Sequence, residues 1–114
     1  MKTDFFKRRD ICFAEHPKFP GVRFAKCVDR ARTGTVSVSF LEIPAGTEIP
    51  IHTHEPQVDS ILVLQGAGQA FVNGEWEDIE TGDYLFVPAG VDHGIRCTGS
   101  TSLQLFVHHS PPLF

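Results

Sequence analysis

Apolar and polar residues alternate along this chain in short runs broken by glycine and proline, and no stretch keeps a helical apolar spacing for more than a turn or two. The alternation predicts strands at residues 22–28, 35–43, 58–64, 69–72, 76–79, 84–87, 94–97 and 103–108. Asn73-Gly74, set between Phe71-Val72 and Glu75-Trp76, is the strongest hairpin signal, because both central residues of a type I′ turn need positive φ. Thr81-Gly82-Asp83 and Pro88-Ala89-Gly90 mark two further turns, and Pro44-Ala45-Gly46 ends the long second strand. Short strands at regular spacing with such punctuation predict an all-β barrel or double-sheet jelly roll. Strand parity puts Ile61 and Val63 on the face of Asp59 and Leu62 and Leu64 on the other, so both faces of that strand are apolar. A one-sided barrel would leave the outer set in water, so a cover is expected from a second subunit, making a homodimer, or from the N-terminal arm. Residues 1–20 are read as that arm, carrying Phe5, Phe6, Ile11 and Phe13, and residues 21–114 as a single barrel domain.

Composition narrows the function classes. A chain of 114 residues has room for one domain and one core. A net charge of -4 argues against a nucleic-acid partner, and the lone basic run Lys7-Arg8-Arg9 reads as a solvated terminal face. No apolar stretch approaches the ~20 residues of a membrane-spanning helix, so no membrane partner is expected. The first residues lack an apolar core followed by a cleavage site, so export is not expected. Cys12, Cys27 and Cys97 are odd in number and not closely paired, which fits reduced thiols in a cytoplasm.

The candidate chemistry lies in His52, His54, Asp59 and His93. In an extended strand His52 and His54 point to the same face. Three neutral imidazoles and a carboxylate suit a divalent transition ion: iron, manganese, nickel, cobalt or zinc. The fixed positions around them read Gly46-x5-His52-x-His54-x4-Asp59-x6-Gly66 and then Gly82-x5-Pro88-x-Gly90-x2-His93. The two segments resemble, in order and spacing, the paired signature motifs of the cupin superfamily, and they span Gly46 to Cys97. The resemblance implies a double-stranded β-helix barrel, a metal site at His52, His54, Asp59 and His93, and the dimer common among small cupins. Two positions depart from the family pattern: Asp59 stands where glutamate is usual, and Cys97 where asparagine is usual. Aspartate keeps the charge but is one methylene shorter, which alters its reach. Cys97 is expected as a small buried side chain rather than a ligand. Gly46, Gly66, Gly82 and Gly90 are expected to permit the sharp turns that let the ligands converge.

Four protein ligands could close a tetrahedron around zinc, whereas iron, manganese or nickel would keep two positions open. With one carboxylate a divalent ion leaves a net +1, suited to an anionic, chelating small molecule, with the ion as Lewis acid and template. Around this set, Gln57 either bonds a ligand or faces solvent, Glu55 is read as pointing away, and Asp92 is read as a turn residue rather than a partner of His93. Ile95 and Cys97 share the parity of His93 and are expected below it in the interior. Tyr84, Phe86 and Phe40 either wall an apolar pocket or pack the core. His108-His109 is either a terminal surface pair or sends one ring into the barrel as a proton carrier. His16 is read as structural or on the surface. Three function classes compete: a metal-dependent oxygenase-like, isomerase or lyase enzyme; a non-catalytic ligand-binding or sensing barrel; and a metal-stabilised structural protein. Cupins host all of these, and fold does not choose among them.

Overall fold

The computed structural model describes all residues, 1–114, and contains ten strands and a single 3-10 turn at Arg8–Asp10. The strands are β1 (Ala14–Glu15), β2 (Arg23–Val28), β3 (Ser37–Ile43), β4 (Glu48–His52), β5 (Val58–Gln65), β6 (Ala67–Val72), β7 (Glu75–Glu80), β8 (Tyr84–Val87), β9 (His93–Arg96) and β10 (Leu103–Ser110). They form two antiparallel sheets, one in the order β1-β2-β3-β10-β5-β8 and one in the order β4-β9-β6-β7. The fold is all-β, in line with the barrel or jelly roll the strand pattern predicts, and it is the double-stranded β-helix that the resemblance implies.

Two strands escape the pattern reading. β1 has only two residues, paired to β2 through Ala14↔Phe24 and Glu15↔Arg23. β4 contains Pro50, which lacks a ladder donor and is tolerated because β4 lies at a sheet edge. Because β4 ends at His52, His54 sits in the loop that follows rather than on the strand. The hairpin between β6 and β7 is as predicted, with Asn73 at φ 51° and Gly74 at φ 85°.

The core lies between the sheets and is built by period-two alternation. In β10, Leu103, Leu105, Val107 and His109 are buried, while Gln104, Phe106, His108 and Ser110 alternate with them. In β5 the buried set is Asp59, Ile61 and Val63. Burying each of these aliphatic side chains contributes about 1.5–3 kcal/mol. The register between β5 and β10 places His109 directly opposite Asp59. Gly66 lets β5 run into β6 at φ 100°, and a Cβ there would stand 2.8 Å from the Ser102 carbonyl oxygen.

On the outer face of the larger sheet, Phe40 and Phe106 pack with ring centroids 5.0 Å apart. The arm reaches one end of this face, where the Arg8 guanidinium lies 5.0 Å from the Phe13 ring centroid and 5.8 Å from that of Phe40. Leu64, Tyr84 and Phe86 on that face stay exposed, as do Phe5 and Phe6 of the arm.

Candidate metal centre

His52 closes β4 and His93 opens β9, and the two residues are register partners. His54 follows in the loop, and Asp59 and His109 face inward from β5 and β10. One ring nitrogen each of His52, His54 and His93 falls within a 4.8 Å cluster, and donor atoms of His54, Asp59 and His109 form a second, overlapping one. Asp59 Oδ2 stands 2.7 Å from His93 Nε2 and 3.7 Å from His54 Nε2, and Oδ1 stands 2.5 Å from His109 Nε2.

Backbone carbonyls set the tautomers. His52 Nδ1 is 2.7 Å from the Pro50 oxygen and His93 Nδ1 is 2.9 Å from the Val91 oxygen. A carbonyl only accepts, so both Nδ1 atoms carry a hydrogen and the neutral rings present bare Nε2 lone pairs to the cluster. His52 Nε2 then lies 3.1 Å from His54 Nε2, and His93 Nε2 faces the Asp59 carboxylate. His93 Nε2 and Asp59 Oδ1 are nevertheless buried without an aligned hydrogen bond. Lone pairs brought this close need positive charge among them, a proton or a cation. Buried orphaned acceptors and an all-imidazole-and-carboxylate donor set fit a divalent transition ion.

The electrostatics agree for His52 and His54. Burial lowers His54 to about 4 and also lowers His52, so both rings are neutral near pH 7 and able to ligate. Burial would raise Asp59, but the His109 and His93 rings outweigh it and hold the carboxyl well below its ordinary range. Burial would lower His93, but the contact with Asp59 outweighs it and the ring ends raised.

The cluster borders a cavity of about 300 Å³ whose other walls are largely apolar, among them Leu41, Ile49, Ile61, Ile95, Leu105 and Val107. Aromatic rings surround this space in a closed circuit. From His52 the centroids step 5.5 Å to Phe19, 4.8 Å to His16 and 5.0 Å to Phe24. They continue 5.5 Å to Phe114 and 6.5 Å to His109, then return through His54 by steps of 5.1 and 4.7 Å. Lys18 and Lys26 also line the cavity.

The structure decides among several sequence readings, changing some and keeping others. His109 is not half of a surface pair: it is buried on Asp59, while His108 points the other way against Phe106 at 4.9 Å. The alternation of Leu103, Leu105 and Val107 carries the signal, since it places His109 on their inward face. His16 is part of the cavity wall. Tyr84, Phe86 and Phe40 do not line this cavity, because parity turns them to the outer face of the larger sheet. Gln57 donates to the Pro112 carbonyl at 3.2 Å instead of facing the cluster. Cys97 is buried with its thiol on the Thr101 carbonyl at 3.1 Å, outside the cluster.

The sequence profile of the family described as Cupin domain matches residues 39–109. A protein of Thermotoga maritima named oxalate-binding protein is 33% identical over 64 residues, 56% of this chain and 53% of that one. A protein of Bacillus subtilis named quercetin 2,3-dioxygenase is 37% identical over 51 residues, 45% of this chain and 15% of that one. The chain thus spans about half the length of the first of these relatives, and far less of the second. The crystal structure of a predicted oxalate decarboxylase from Thermotoga maritima superposes with a TM-score of 0.86 over 95% of this chain and 99% of that one, at 23% identity. At that identity the likeness speaks for the fold.

Proposed function

The chain belongs to the cupin family, and on that premise we propose that it is a metal-dependent enzyme acting on a small, chelating organic anion. The reaction is of an oxygenase-like or an isomerase/lyase kind. The observation that carries this reading is the convergence of histidine and aspartate donors on the wall of a ligand-sized cavity instead of inside a closed core. His52, His54, Asp59 and His93 would hold iron, manganese, nickel, cobalt or zinc. When bound, the ion supplies Lewis-acid polarisation and a template for the substrate's oxygens. The chain's own residues do the rest. The Pro50 and Val91 carbonyls fix the imidazole tautomers, and His109 holds the Asp59 carboxylate ionised. The apolar walls exclude water and strengthen each polar contact within the site. Lys18 and Lys26 add positive charge toward an anion.

The second reading is a non-catalytic small-ligand-binding barrel. The name of the Thermotoga maritima relative, oxalate-binding protein, favours it. The two readings differ in whether the ligand leaves changed, and only the enzyme requires the ion. The exposed outer-face residues Leu64, Tyr84 and Phe86 support a homodimer, and three free cysteines fit a reducing cytoplasm.

The test is metal content per chain by elemental mass spectrometry on untagged protein, beside His52→Ala. About one ion per chain, lost in the variant, supports the site. Dioxygen uptake or product formation from chelating acids and diketones then separates enzyme from binder. Failure to load manganese, iron, cobalt, nickel or zinc would refute the enzyme reading and leave a binding barrel whose histidines meet the ligand directly.

A further inference from the structure

The ring circuit is polar at two places, the histidine–aspartate cluster and His16. Two backbone donors fix the His16 ring, since Nδ1 accepts the N–H of Lys18 at 3.0 Å and that of Phe19 at 3.2 Å. Nδ1 is therefore bare, and the ring's hydrogen sits on Nε2, which has no protein acceptor. Phe19 and Phe24 hold the ring by packing on it at 4.8 and 5.0 Å. His16 is thus a preorganised donor in the wall of the cavity, two rings along the circuit from His52. Positive charge lines the same cavity, with Lys18 Nζ 5.7 Å from the Phe19 centroid and Lys26 Nζ 5.3 Å from that of Phe114. Burial and the neighbouring Lys18 lower the ring's pKa, which favours this neutral form at pH 7.

We propose that the ligand is a planar, ring-bearing acid with two ends: chelating oxygens for the histidine cluster and a second, anionic group that His16 receives through its Nε2 hydrogen. The circuit of rings gives a flat body faces and edges to pack on. The cavity's 300 Å³ would be mostly empty around a two-carbon dianion but accommodates a substituted ring. Chelation sets where the ligand sits, and His16 sets which acid is preferred. This inference rests on the metal reading above and adds the distal group and the residue that selects it.

Catechol and 3,4-dihydroxybenzoate share a chelating head and differ by a carboxylate. Protein loaded with cobalt(II) is titrated with each, following the visible absorption of the ion. The wild type is expected to bind the dihydroxybenzoate about tenfold more tightly, the size of one charge-assisted hydrogen bond. In His16→Asn the side-chain oxygen can still accept the Lys18 and Phe19 N–H groups, but the Nε2 donor is gone, and the preference should fall toward unity. His16→Gln returns an amide N–H near the Nε2 position and should restore part of it. Equal affinities in the wild type, or an undiminished preference in His16→Asn, would overturn the role of His16 and leave the metal site standing. Cobalt-loaded protein that binds neither compound would overturn the chelating ligand itself, and this inference with it.

Discussion

Gly68→Ala tests how tightly β6 is locked to β9, the strand that His93 opens. Gly68 lies in β6, whose neighbour β9 begins at His93 and pairs with it through Gln69↔Arg96, Ala70↔Ile95 and Phe71↔Gly94. A Cβ on Gly68 would stand 2.3 Å from the Arg96 carbonyl oxygen and 3.0 Å from Leu103 Cδ2. The nearest obstacle is backbone, so no rotamer change relieves it, and the strands must part by about 1 Å to reach ordinary contact. Overpacking of this kind costs about 1–3 kcal/mol. Lengthening one or two ladder bonds adds about 1 kcal/mol each. The stiffer alanine returns about 0.5–1 kcal/mol through the unfolded chain. The net loss is about 3 kcal/mol. With an unfolding entropy of about 0.24 kcal/mol/K for a chain of 114 residues, Tm should fall by about 12 °C. Thermal melts of metal-free protein by circular dichroism read the shift. Gly34→Ala is the control: nothing lies within 4 Å of its added Cβ and its φ is not positive, so its Tm should hold or rise by a few degrees. Gly68→Ala melting within about 3 °C of the wild type would refute the argument. The parted strands should also displace His93 and weaken metal binding, read by titration with the ion.

Asp59→Glu adds one methylene beside His93 and His109, and is expected to keep stoichiometric metal by elemental analysis while costing about 1–2 kcal/mol in the metal-free protein by overpacking; complete loss of metal would show that the reach of the side chain, not its carboxylate, sets the site. Stripping the metal with a chelator should leave the far-ultraviolet circular dichroism unchanged and lower Tm, because the two-sheet core carries the fold and the ion adds only linkage stabilisation, about 3–4 kcal/mol at 100–1,000 times its Kd; unfolding on chelation would refute this. Folded His54 resists protonation down to about 4, whereas the unfolded chain takes up that proton near 6.5. Stability of the metal-free protein should therefore fall as pH drops from 6.5 to 4, relative to His54→Gln, by about 2 kcal/mol after allowance for solvent screening. Denaturant melts at pH 7 and 4.5 measure it, and identical slopes in the two proteins would remove the assigned cause.

Local rules made much of this molecule legible before any coordinates. The period-two alternation located β2, β3 and β5 to β10 to within a few residues, because a strand between core and solvent must alternate. Asn73-Gly74 announced its hairpin because few other pairs tolerate two positive φ values in succession. The spacing of His52, His54, Asp59 and His93 among glycines and a proline carried the likeness to cupins, and the structure gathers all four side chains into one region.

Other features depend on contacts between segments far apart in the chain. β4 is invisible to local pattern because Pro50 argues against a strand, and only a position at the edge of a sheet excuses it. Tyr84, Phe86 and Phe40 look like lining for a pocket, yet which face of a strand meets the cavity is settled by pairing with β5 and β10. His109 lies across from Asp59 because of the β10 register, and His16 reaches the cavity because the turn before β2 folds Phe19 against His52. Strands, turns and candidate donor residues follow from alternation, allowed φ values and donor chemistry at short range, so they are legible along the chain. That His109 and His16 lie with the candidate site and that Asp59 is held ionised depends on burial and on distances between side chains, which exist only once the two sheets close on each other.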